Sequence, residues 1–599
     1  MQNMVETAVG KKEIEADFVV CGGGLAGTCA ALAAARRGAK VALLQDRPVL
    51  GGNASSEMRM GIMGAHGDEN KEAGILEELQ LRNFYLNPLL RYTLWDDVLL
   101  STVRAEPNVT LLLNTSVFGV EMEDSPRHET PRRLSAVLAW NSNSQTRFRV
   151  SGRLFADCTG DGILRLSGAE FRHGREDPAE FGETYLQTGG DAKTMGNSIL
   201  LQLRKTSEHH PFRAPPGAYR FTDADFAYPD EPPPPPGTRR VNFKRLEPEE
   251  NNFWWIEYGG NLDTIGDADA IQEELKKIAW GVWEYMKNHP DGRARGYELD
   301  WIGSLPGKRE STRFVGPHVL TQRDVLSGGH FDDVVAYGGW TLDDHHPDAF
   351  HRKGRISVEY GCPSPFGIPL DCLYSVNVQN LMFAGRDISC THMGLSATRV
   401  MGTCAALGQA VGTAAALALR HGIDPAALRR DRISELQAAL EDDDCMLPYR
   451  VRKPSEATLA AKCAPECEVL RSGIDRDRPG EENALLLAPG ACTAAYEWDA
   501  PRTVSGARAV FDSQMSFTGK RMRKLEATTE RAAMPAPLAR AFRVEARVGG
   551  EWKPVFRDPE NFLRFRRVSF PPVRADALRL VVESAWGGGD ARLFAFDAL

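Results

Sequence analysis

The first fifty residues alternate apolar runs with small residues, and this pattern predicts a strand, a tight turn, a helix and a second strand. The apolar run Phe18–Cys21 predicts the first strand. The alanine-rich stretch 26–37 predicts the helix, and the apolar run 40–44 predicts the next strand. Three glycines with the spacing G-x-G-x-x-G separate the first strand from the helix. The segment therefore predicts a strand-turn-helix-strand unit.

This glycine spacing, in this context, is the dinucleotide-binding fingerprint. Gly22 permits the tight turn, Gly24 lets the backbone approach a diphosphate, and Gly27 lets helix and strand pack closely. Leu25 and Ala26 begin the helix, whose free N–H groups and positive dipole end favour phosphates. The motif alone does not separate FAD from NAD.

The fingerprint departs from its usual form at the end of the second strand. An acidic residue there normally accepts hydrogen bonds from the ribose. Gln45 occupies that place and Asp46 follows it. Gln45 could accept through its carbonyl oxygen, or Asp46 could turn inward, and the sequence leaves both open. The small, polar loop 51–57 is expected to lie against the cofactor.

The rest of the chain divides into three further regions that differ in composition and in predicted secondary structure. Strands are predicted at 110–113, 134–140 and 154–157, and helices at 71–86, 267–288 and 396–419. Residues 170–375 are rich in proline, aromatic residues and loops. Beyond about residue 455, short strands at 504–511, 541–548, 568–571, 578–583 and 592–596 alternate with turns, which predicts an antiparallel sandwich.

Composition narrows the class of protein. A chain of 599 residues should hold more than one domain, and a formal net charge of −9 argues against a nucleic-acid surface. We find no run of about 18 apolar residues and no apolar signal segment, so we expect neither a membrane span nor secretion. The 11 cysteines are scattered, mostly in apolar settings, so buried free thiols, no metal site and a cytoplasmic protein are expected.

Several sequence blocks together resemble one family. They are the glycine fingerprint, 47–57, 158–162, 306–311, 338–340 with 343–347, and 380–412. By these blocks the chain resembles the FAD-dependent oxidoreductases that share the fumarate reductase type of flavin domain, in particular the bacterial group usually called FAD-dependent oxidoreductase. The resemblance spans about residues 15–420. The tail after 455 lies outside it and looks like a galactose-binding-like sandwich.

The resemblance implies an α/β architecture. A Rossmann-like FAD-binding domain would be built from residues 1–165 and 376–450. An α+β substrate or cap domain, 166–375, would be inserted between them, and the C-terminal β-sandwich would span 455–599.

The resemblance also implies which residues hold FAD, which would be bound non-covalently because no histidine stands where a covalent link is expected. Asp387 would bond the ribityl chain. A helix starting at Ser396 would point its N-terminus at the pyrimidine end of the flavin, where reduced flavin is negative. The implied cofactor-binding residues are Gly22, Gly24, Leu25, Ala26, Gly27, Gln45, Asp46, Arg47, Gly52, Asn53, Ala54, Ser55, Gly160, Asp161, Gly385, Arg386, Asp387, Ser396, Ala397 and Thr398.

Five residues are candidates for catalysis. His392, His345 and His66 could handle a proton, because a histidine titrates near neutral pH. Arg399 occupies the place where fumarate-reductase-like proteins carry a substrate-binding arginine, and Arg313 is a second candidate. A guanidinium there could hold a carboxylate or stabilise reduced flavin, or it could form a structural ion pair.

Three functions follow as hypotheses. The first is transfer of a hydride between flavin N5 and a small organic substrate, which the aromatic clusters at 253–258 and 337–340 and the sandwich tail suggest is a sugar or glycan-derived alcohol. The second is reduction of an unsaturated carboxylate or enone held by arginines. The third is a flavin-bearing carbohydrate-binding or scaffold protein. The sequence gives neither the electron acceptor nor the oligomeric state, for which a homodimer is one candidate.

Overall fold

The computed structural model describes most of the chain, which folds into two compact units. The described residues are 10–67, 69–123, 132–186, 190–228, 233–248, 252–478, 480–515, 522 and 531–599. Unit 1 comprises Met1–His66, Arg91–Ile433 and Met522–Thr528. Unit 2 comprises Gly67–Leu90, Ser434–Arg521 and Thr529–Leu599.

The helices and strands are numbered along the whole chain. The helices are α1 Leu25–Arg36, α2 Ile75–Leu86, α3 Tyr92–Arg104, α4 Pro178–Phe181, α5 Asp223–Phe226, α6 Ala268–Asn288, α7 Gln322–Leu326, α8 His392–Thr398, α9 Met401–His421, α10 Pro425–Asp442 and α11 Glu456–Leu459. The strands are β1 Gly10–Glu15, β2 Phe18–Cys21, β3 Val41–Leu44, β4 Val109–Leu112, β5 Thr115–Met122, β6 Leu134–Asn141, β7 Thr146–Ser151, β8 Leu154–Asp157, β9 Phe171–Arg172, β10 Asn197–Ser198, β11 Leu201–Lys205, β12 Thr238–Asn242, β13 Glu257–Tyr258, β14 Tyr297–Ile302, β15 Arg313–Phe314, β16 Val334–Gly338, β17 Leu342–His345, β18 Ser357–Tyr360, β19 Phe366–Pro369, β20 Leu381–Phe383, β21 Leu485–Leu487, β22 Ala495–Phe511, β23 Ala539–Val548, β24 Glu551–Asp558, β25 Phe565–Ala585 and β26 Ala591–Ala598.

A five-stranded parallel sheet forms the centre of unit 1, with strand order β20-β8-β2-β3-β4. Phe18 of the middle strand pairs with Val41 on one side and with Leu154 on the other. All four residues of β2 are buried, as expected for a parallel sheet covered on both faces. The predicted strand, helix and second strand at the N-terminus are confirmed, within one residue at each end.

Helices α1 and α9 pack backbone against backbone. A Cβ on Gly408 would lie 2.0 Å from the carbonyl oxygen of Ala26, and one on Gly412 would lie 2.1 Å from that of Ala30. Only glycine permits this approach. By length and composition α9 could cross a membrane, but 89% of its apolar window is buried inside the protein, as in the core helix of a globular domain.

The prediction of a single helix over 396–419 is wrong. The structure has two helices, α8 and α9, because Val400 adopts an extended backbone with φ −69° and ψ 145°. The N–H of Gly402 donates to the carbonyl oxygen of Met63 at 2.7 Å. The break thus moves the start of the long helix to Met401.

Unit 1 also contains smaller sheets. One has the strand order β1-β7-β6-β5, and another has the order β12-β18-β17. The predicted helix over 267–288 is confirmed as α6. Its apolar face packs on Phe253 and Trp255, so these two aromatic residues belong to a hydrophobic core.

Unit 2 is built on a six-stranded antiparallel sheet with the order β21-β26-β22-β25-β23-β24. The two short strands predicted at 568–571 and 578–583 are parts of one 21-residue strand, β25. Irregularities in its pairing with β22, for example between Glu497 and Arg502, interrupt the ladder where the sequence pattern predicted a turn.

Candidate active site at the carboxyl ends of the parallel strands

A cavity of about 410 Å³ lies in unit 1, where loops leave the carboxyl ends of β2, β3, β8 and β20. This is the usual position of a ligand site in an open parallel sheet. Thirteen of the residues implied as cofactor ligands line it: Gly22, Gly24, Leu25, Ala26, Gln45, Asp46, Arg47, Gly52, Asn53, Gly160, Asp161, Gly385 and Arg386.

The other seven implied cofactor residues are outside the lining: Gly27, Ala54, Ser55, Asp387, Ser396, Ala397 and Thr398. The last three are buried in α8, whereas Val400 and Met401 at the start of α9 reach the cavity. The break between the two helices therefore decides which residues of this segment reach the cavity.

The glycine turn is tightly packed at two of its glycines and open at the third. Gly22 has φ +98°, and a Cβ there would lie 2.6 Å from the backbone of Cys158. A Cβ on Gly27 would lie 1.8 Å from the carbonyl oxygen of Gly22. In contrast, a Cβ on Gly24 would meet no described atom within 4 Å. Gly24 therefore keeps the cavity open, whereas Gly22 and Gly27 allow the close packing of strand and helix.

The side chain of Gln45 stabilises the turn by hydrogen bonds to the backbone. Its Oε1 accepts from the N–H of Gly23 at 2.7 Å, its Nε2 donates to the carbonyl oxygen of Val49 at 3.1 Å, and it is 4% exposed. Both the oxygen and the nitrogen of its side-chain amide are therefore hydrogen-bonded within the protein. Asp46 also lines the cavity, but its side chain is 57% exposed.

Glu57 is a lining residue that the sequence analysis did not single out. Its carboxylate lies 3.6 Å from the Arg47 guanidinium, which is also near Asp46. Burial raises the pKa of Glu57, and Arg47 partly opposes that shift. The only sequence signal for it is its place at the end of the polar loop 51–57.

A second polar cluster lies beside Gly160. Asp161 forms an ion pair with Lys308, lies 3.4 Å from Arg386 and accepts from Ser311 Oγ at 3.0 Å. Burial would raise the pKa of Asp161, but Arg386 and Lys308 outweigh it and lower the pKa. Lys308 lines the cavity and was not a candidate, although it stands in the block 306–311.

Two arginines form a cationic wall. Arg399 Nη2 donates to Asp343 Oδ2 at 2.9 Å, and Arg309 lies 3.1 Å from Glu257. Both arginines line the cavity, and the side chain of each is 10% exposed. The Nε of Arg399 is buried without a hydrogen-bond partner among the described residues.

His345 joins the two carboxylates behind this wall. Its Nδ1 lies 2.8 Å from Glu257 and its Nε2 lies 3.2 Å from Asp343. Burial would lower the pKa of His345, but Asp343 and Glu257 raise it. The ring is 3% exposed and is not part of the lining, so it can orient the carboxylates that hold Arg309 and Arg399.

The remaining catalytic candidates are also set back from the cavity. His392 is 1% exposed, with Nδ1 2.9 Å from Glu310 and Nε2 3.0 Å from Asp344. Arg313 is fully buried and ion-paired with Glu176 and Glu310. His66 stacks on Trp340 with ring centroids 4.3 Å apart. Of the five predicted residues, Arg399 alone appears in the described lining.

The family follows from the match to known sequences. Residues 17–440 match the family model described as FAD dependent oxidoreductase. The chain belongs to this family. It is therefore an FAD-dependent oxidoreductase, and FAD is its cofactor. The resemblance seen in the sequence blocks is confirmed.

Solved structures of flavoproteins and sugar-binding modules show weak likeness to this FAD-dependent oxidoreductase. A geranylgeranyl bacteriochlorophyll reductase-like protein of Thermoplasma acidophilum is 12% identical over 72% of this chain and 83% of its own, with TM-score 0.28. The myxobacterial FAD-dependent halogenase CndH is 16% identical over 33% of this chain and 46% of its own, with TM-score 0.23. A family 32 carbohydrate-binding module of Streptococcus pneumoniae EndoD is 15% identical over 22% and 83%, with TM-score 0.17. No curated protein matches the chain.

The cavity fits FAD on its own geometry. Gly24 leaves room for a diphosphate, and no described side chain caps the N-terminus of α1, so the first N–H groups of that helix are available to it. Asp387 Oδ1 is buried without a partner among the described residues, close to Gly385 of the lining. Charged groups and open space therefore coincide at the carboxyl ends of the parallel strands, where open parallel sheets of this kind usually bind their ligands.

Proposed function

We propose that this FAD-dependent oxidoreductase moves a hydride between FAD and a small organic substrate that carries a carboxylate. When bound, FAD gives or accepts the hydride at flavin N5. The observation that supports a carboxylate is Arg399, whose guanidinium lies in the cavity wall with its buried Nε unpaired among the described residues. Arginine holds carboxylates through two parallel N–H donors.

The charge of the wall supports the same substrate class. Arg309 and Arg399 are cations, Glu257 and Asp343 are the carboxylates they pair with, and these two carboxylates raise the pKa of His345 and so favour its charged form. With His345 in that form, three positive groups face two negative ones, and an anionic substrate would balance the cluster. Burial makes such pairing stronger than it would be in water.

We further propose how the chain holds FAD. The backbone from Gly24 to Ala26 would bind the diphosphate, and Glu57 or Asp46 would accept hydrogen bonds from the ribose because the Gln45 amide is already engaged. The start of α9 at Met401 would approach the flavin in place of Ser396. We propose non-covalent binding, since no histidine is among the described lining residues.

An alcohol or sugar substrate has less support. Of the aromatic clusters that suggested it, Phe253 and Trp255 are core residues and Trp340 stacks on His66, so Trp254 is the member that reaches the lining. The family match to oxidoreductases sets aside the scaffold hypothesis. A cytoplasmic location stays a proposal, supported by 11 free cysteines, most of them buried.

The substrate class can be tested by anaerobic absorbance spectroscopy of the flavin band. Oxidised protein would be mixed with saturated and 2-hydroxy acids, and photoreduced protein with unsaturated acids, each beside its primary amide. We expect electron exchange with at least one acid and not with its amide. If amides or simple alcohols react as fast as acids, the carboxylate proposal fails.

Arg399→Ala should lower kcat/KM for the reactive acid about 30-fold or more, because truncating one partner of a buried charge pair costs about 2–5 kcal/mol. Arg420→Ala, at an exposed position on α9, is the matched control and should leave kcat/KM unchanged. Wild-type rates in the Arg399→Ala protein would exclude this residue from substrate binding.

A further inference from the structure

The imidazole ring of His345 lies between the two carboxylates that hold the arginines of the cavity wall. The Oε2 of Glu257 lies 2.8 Å from the Nδ1 of the ring and 3.1 Å from Arg309. The Oδ2 of Asp343 lies 3.2 Å from the Nε2 of the ring and 2.9 Å from Arg399. Each carboxylate therefore shares one oxygen between the imidazole and an arginine.

The second oxygen of each carboxylate has no hydrogen-bond partner among the described residues. These two atoms, Glu257 Oε1 and Asp343 Oδ1, are buried. The imidazole and one arginine are thus the described partners of each carboxylate. If the ring released one carboxylate, an arginine alone would hold that carboxylate in the part of the chain that the structure describes.

Both contacts of the ring are hydrogen bonds only if the ring carries two protons. An ionised carboxylate accepts hydrogen bonds and donates none, and a neutral imidazole has a single N–H. A neutral ring would therefore bond to one carboxylate and bring a bare nitrogen against the oxygen of the other, at 2.8 or 3.2 Å. The imidazolium form donates to both carboxylates at once.

We propose that His345 is a positioning residue whose imidazolium form holds both carboxylates, and through them Arg309 and Arg399, in the arrangement that binds a substrate carboxylate. The inference rests on the proposed function and adds the control of substrate affinity by pH. When the ring loses one proton, one carboxylate loses its hydrogen bond and the cluster loses a positive charge. Because the ring lies outside the described lining, KM for the acid should change more than kcat.

The groups around the ring support its charged form. Burial would lower the pKa of His345, but Asp343 and Glu257 outweigh it and raise the pKa. Burial would raise the pKa of Asp343, but His345 and the two arginines outweigh it and lower the pKa. The other charged groups on the elements packed against the ring are Arg309, Arg399, Glu359 on β18 and Arg240, which pairs with Glu359. KM for the acid should therefore rise by up to about tenfold per pH unit above the pKa of His345, as for one linked proton.

Nitrogen NMR of the holoprotein, labelled with 15N in its histidine rings, tests the two protons directly. The signals of His345 are those that disappear in His345→Gln. His209→Gln, at an exposed position, is the control for this assignment and should leave those signals in place. We expect both ring nitrogens of His345 to have the chemical shifts of protonated nitrogens at neutral pH. The chemical shift of a bare ring nitrogen in His345 at neutral pH would overturn the proposal.

The pH dependence of KM gives a second readout, and its first result needs only the wild type. KM for the acid that reacts in the substrate test should rise at alkaline pH, with a smaller change in kcat. A wild-type KM that stays constant at alkaline pH would overturn the proposal, whether or not the variant folds.

The variant His345→Gln isolates the contribution of the ring. Its amide cannot carry the charge, so KM at neutral pH should be about tenfold or more above that of the wild type, as for a lost hydrogen bond to a charged group, and should lack the alkaline rise. An equal alkaline rise in both proteins would also overturn the proposal. Failure of every acid to react would instead contradict the proposed substrate class, and the nitrogen spectrum would still decide the state of the ring.

Discussion

Two carboxylates enclose the imidazole ring of His392, one at each nitrogen. Burial would lower the pKa of His392, but Glu310 and Asp344 outweigh it and raise the pKa to about 10. The ring is therefore a cation at neutral pH, and its contacts are those of an internal ion pair. A proton that stays bound up to pH 10 is poorly suited to exchange with a substrate.

This shift predicts a pH-dependent contribution to stability. Because the pKa of His392 is higher in the folded state, the charged ring contributes its full stabilisation of the fold below the pKa in the unfolded chain, about 6.5. This contribution declines as the pH rises and is lost once the pH passes the pKa in the folded state, about 10. His392→Gln should therefore lower the free energy of unfolding by about 3–5 kcal/mol near pH 6, as for other broken buried pairs. The loss should shrink towards pH 10. Denaturant unfolding at several pH values measures it.

The exposed His209 supplies the control for that experiment. His209→Gln should unfold like the wild type at every pH. A His392→Gln protein whose loss of stability is the same at pH 6 and pH 10 would show that the ring is not charged in the folded state.

The sequence predicts single residues well where the backbone itself is the functional part. The spacing of the motif is enough to predict the glycines at 22 and 27, where a Cβ would clash with backbone atoms, and the glycine at 24, where the space is open. The partners of His392 are 82 and 48 residues away along the chain, and no local pattern joins them. The same holds for Glu57, since burial and a neighbouring arginine, not sequence spacing, mark it as a ligand candidate.

At the scale of elements, the strand-turn-helix unit gives a matched pair of substitutions. Gly27→Ala would drive a Cβ into the Gly22 carbonyl oxygen and should cost at least about 1–3 kcal/mol of stability, as overpacking does. Gly24→Ala meets no described atom, so the melting temperature of the FAD-free protein should hardly change. Its methyl group would instead occupy diphosphate space and weaken FAD binding about tenfold or more, a loss of about 1.4 kcal/mol per factor of ten.

Thermal melts and FAD titration of the two variants separate folding from cofactor binding. The prediction is contradicted if Gly24→Ala binds FAD normally, or if Gly27→Ala is as stable as the wild type.

Element boundaries were predictable where turn residues mark them. The glycine turn fixes the ends of β2 and α1. The break between α8 and α9 was not predictable, because neither Arg399 nor Val400 is a helix breaker and the extended backbone accompanies a hydrogen bond from Gly402 to Met63. Strand β1, Gly10–Glu15, was also missed because its sequence is polar and its residues are largely exposed.

At the scale of the whole molecule, sequence order and spatial grouping differ. Helix α2 belongs to unit 2, although unit 1 precedes and follows it in the chain. Tyr85 of α2 stacks on Phe562 with ring centroids 4.3 Å apart, and Ser513 Oγ donates to Glu77. Periodicity predicts such a helix but carries no information about which distant strands cover it.

Truncation after Asp442 should therefore uncover α2. Leu81 and Tyr85 would lose the apolar partners of the C-terminal sheet, and the truncated chain should aggregate or bind a hydrophobic dye that the full chain does not bind. Size-exclusion chromatography and dye fluorescence measure this. A monodisperse truncated chain without dye binding would show that α2 does not depend on unit 2.

The central claim is that the cavity of unit 1 holds FAD in a form that can be reduced and oxidised. The visible absorbance spectrum of the purified protein tests it most directly, before and after heat release of the cofactor and after anaerobic photoreduction. We predict a flavin spectrum, about one FAD released per chain, and reversible bleaching. A colourless protein that cannot be reconstituted with FAD would contradict the claim.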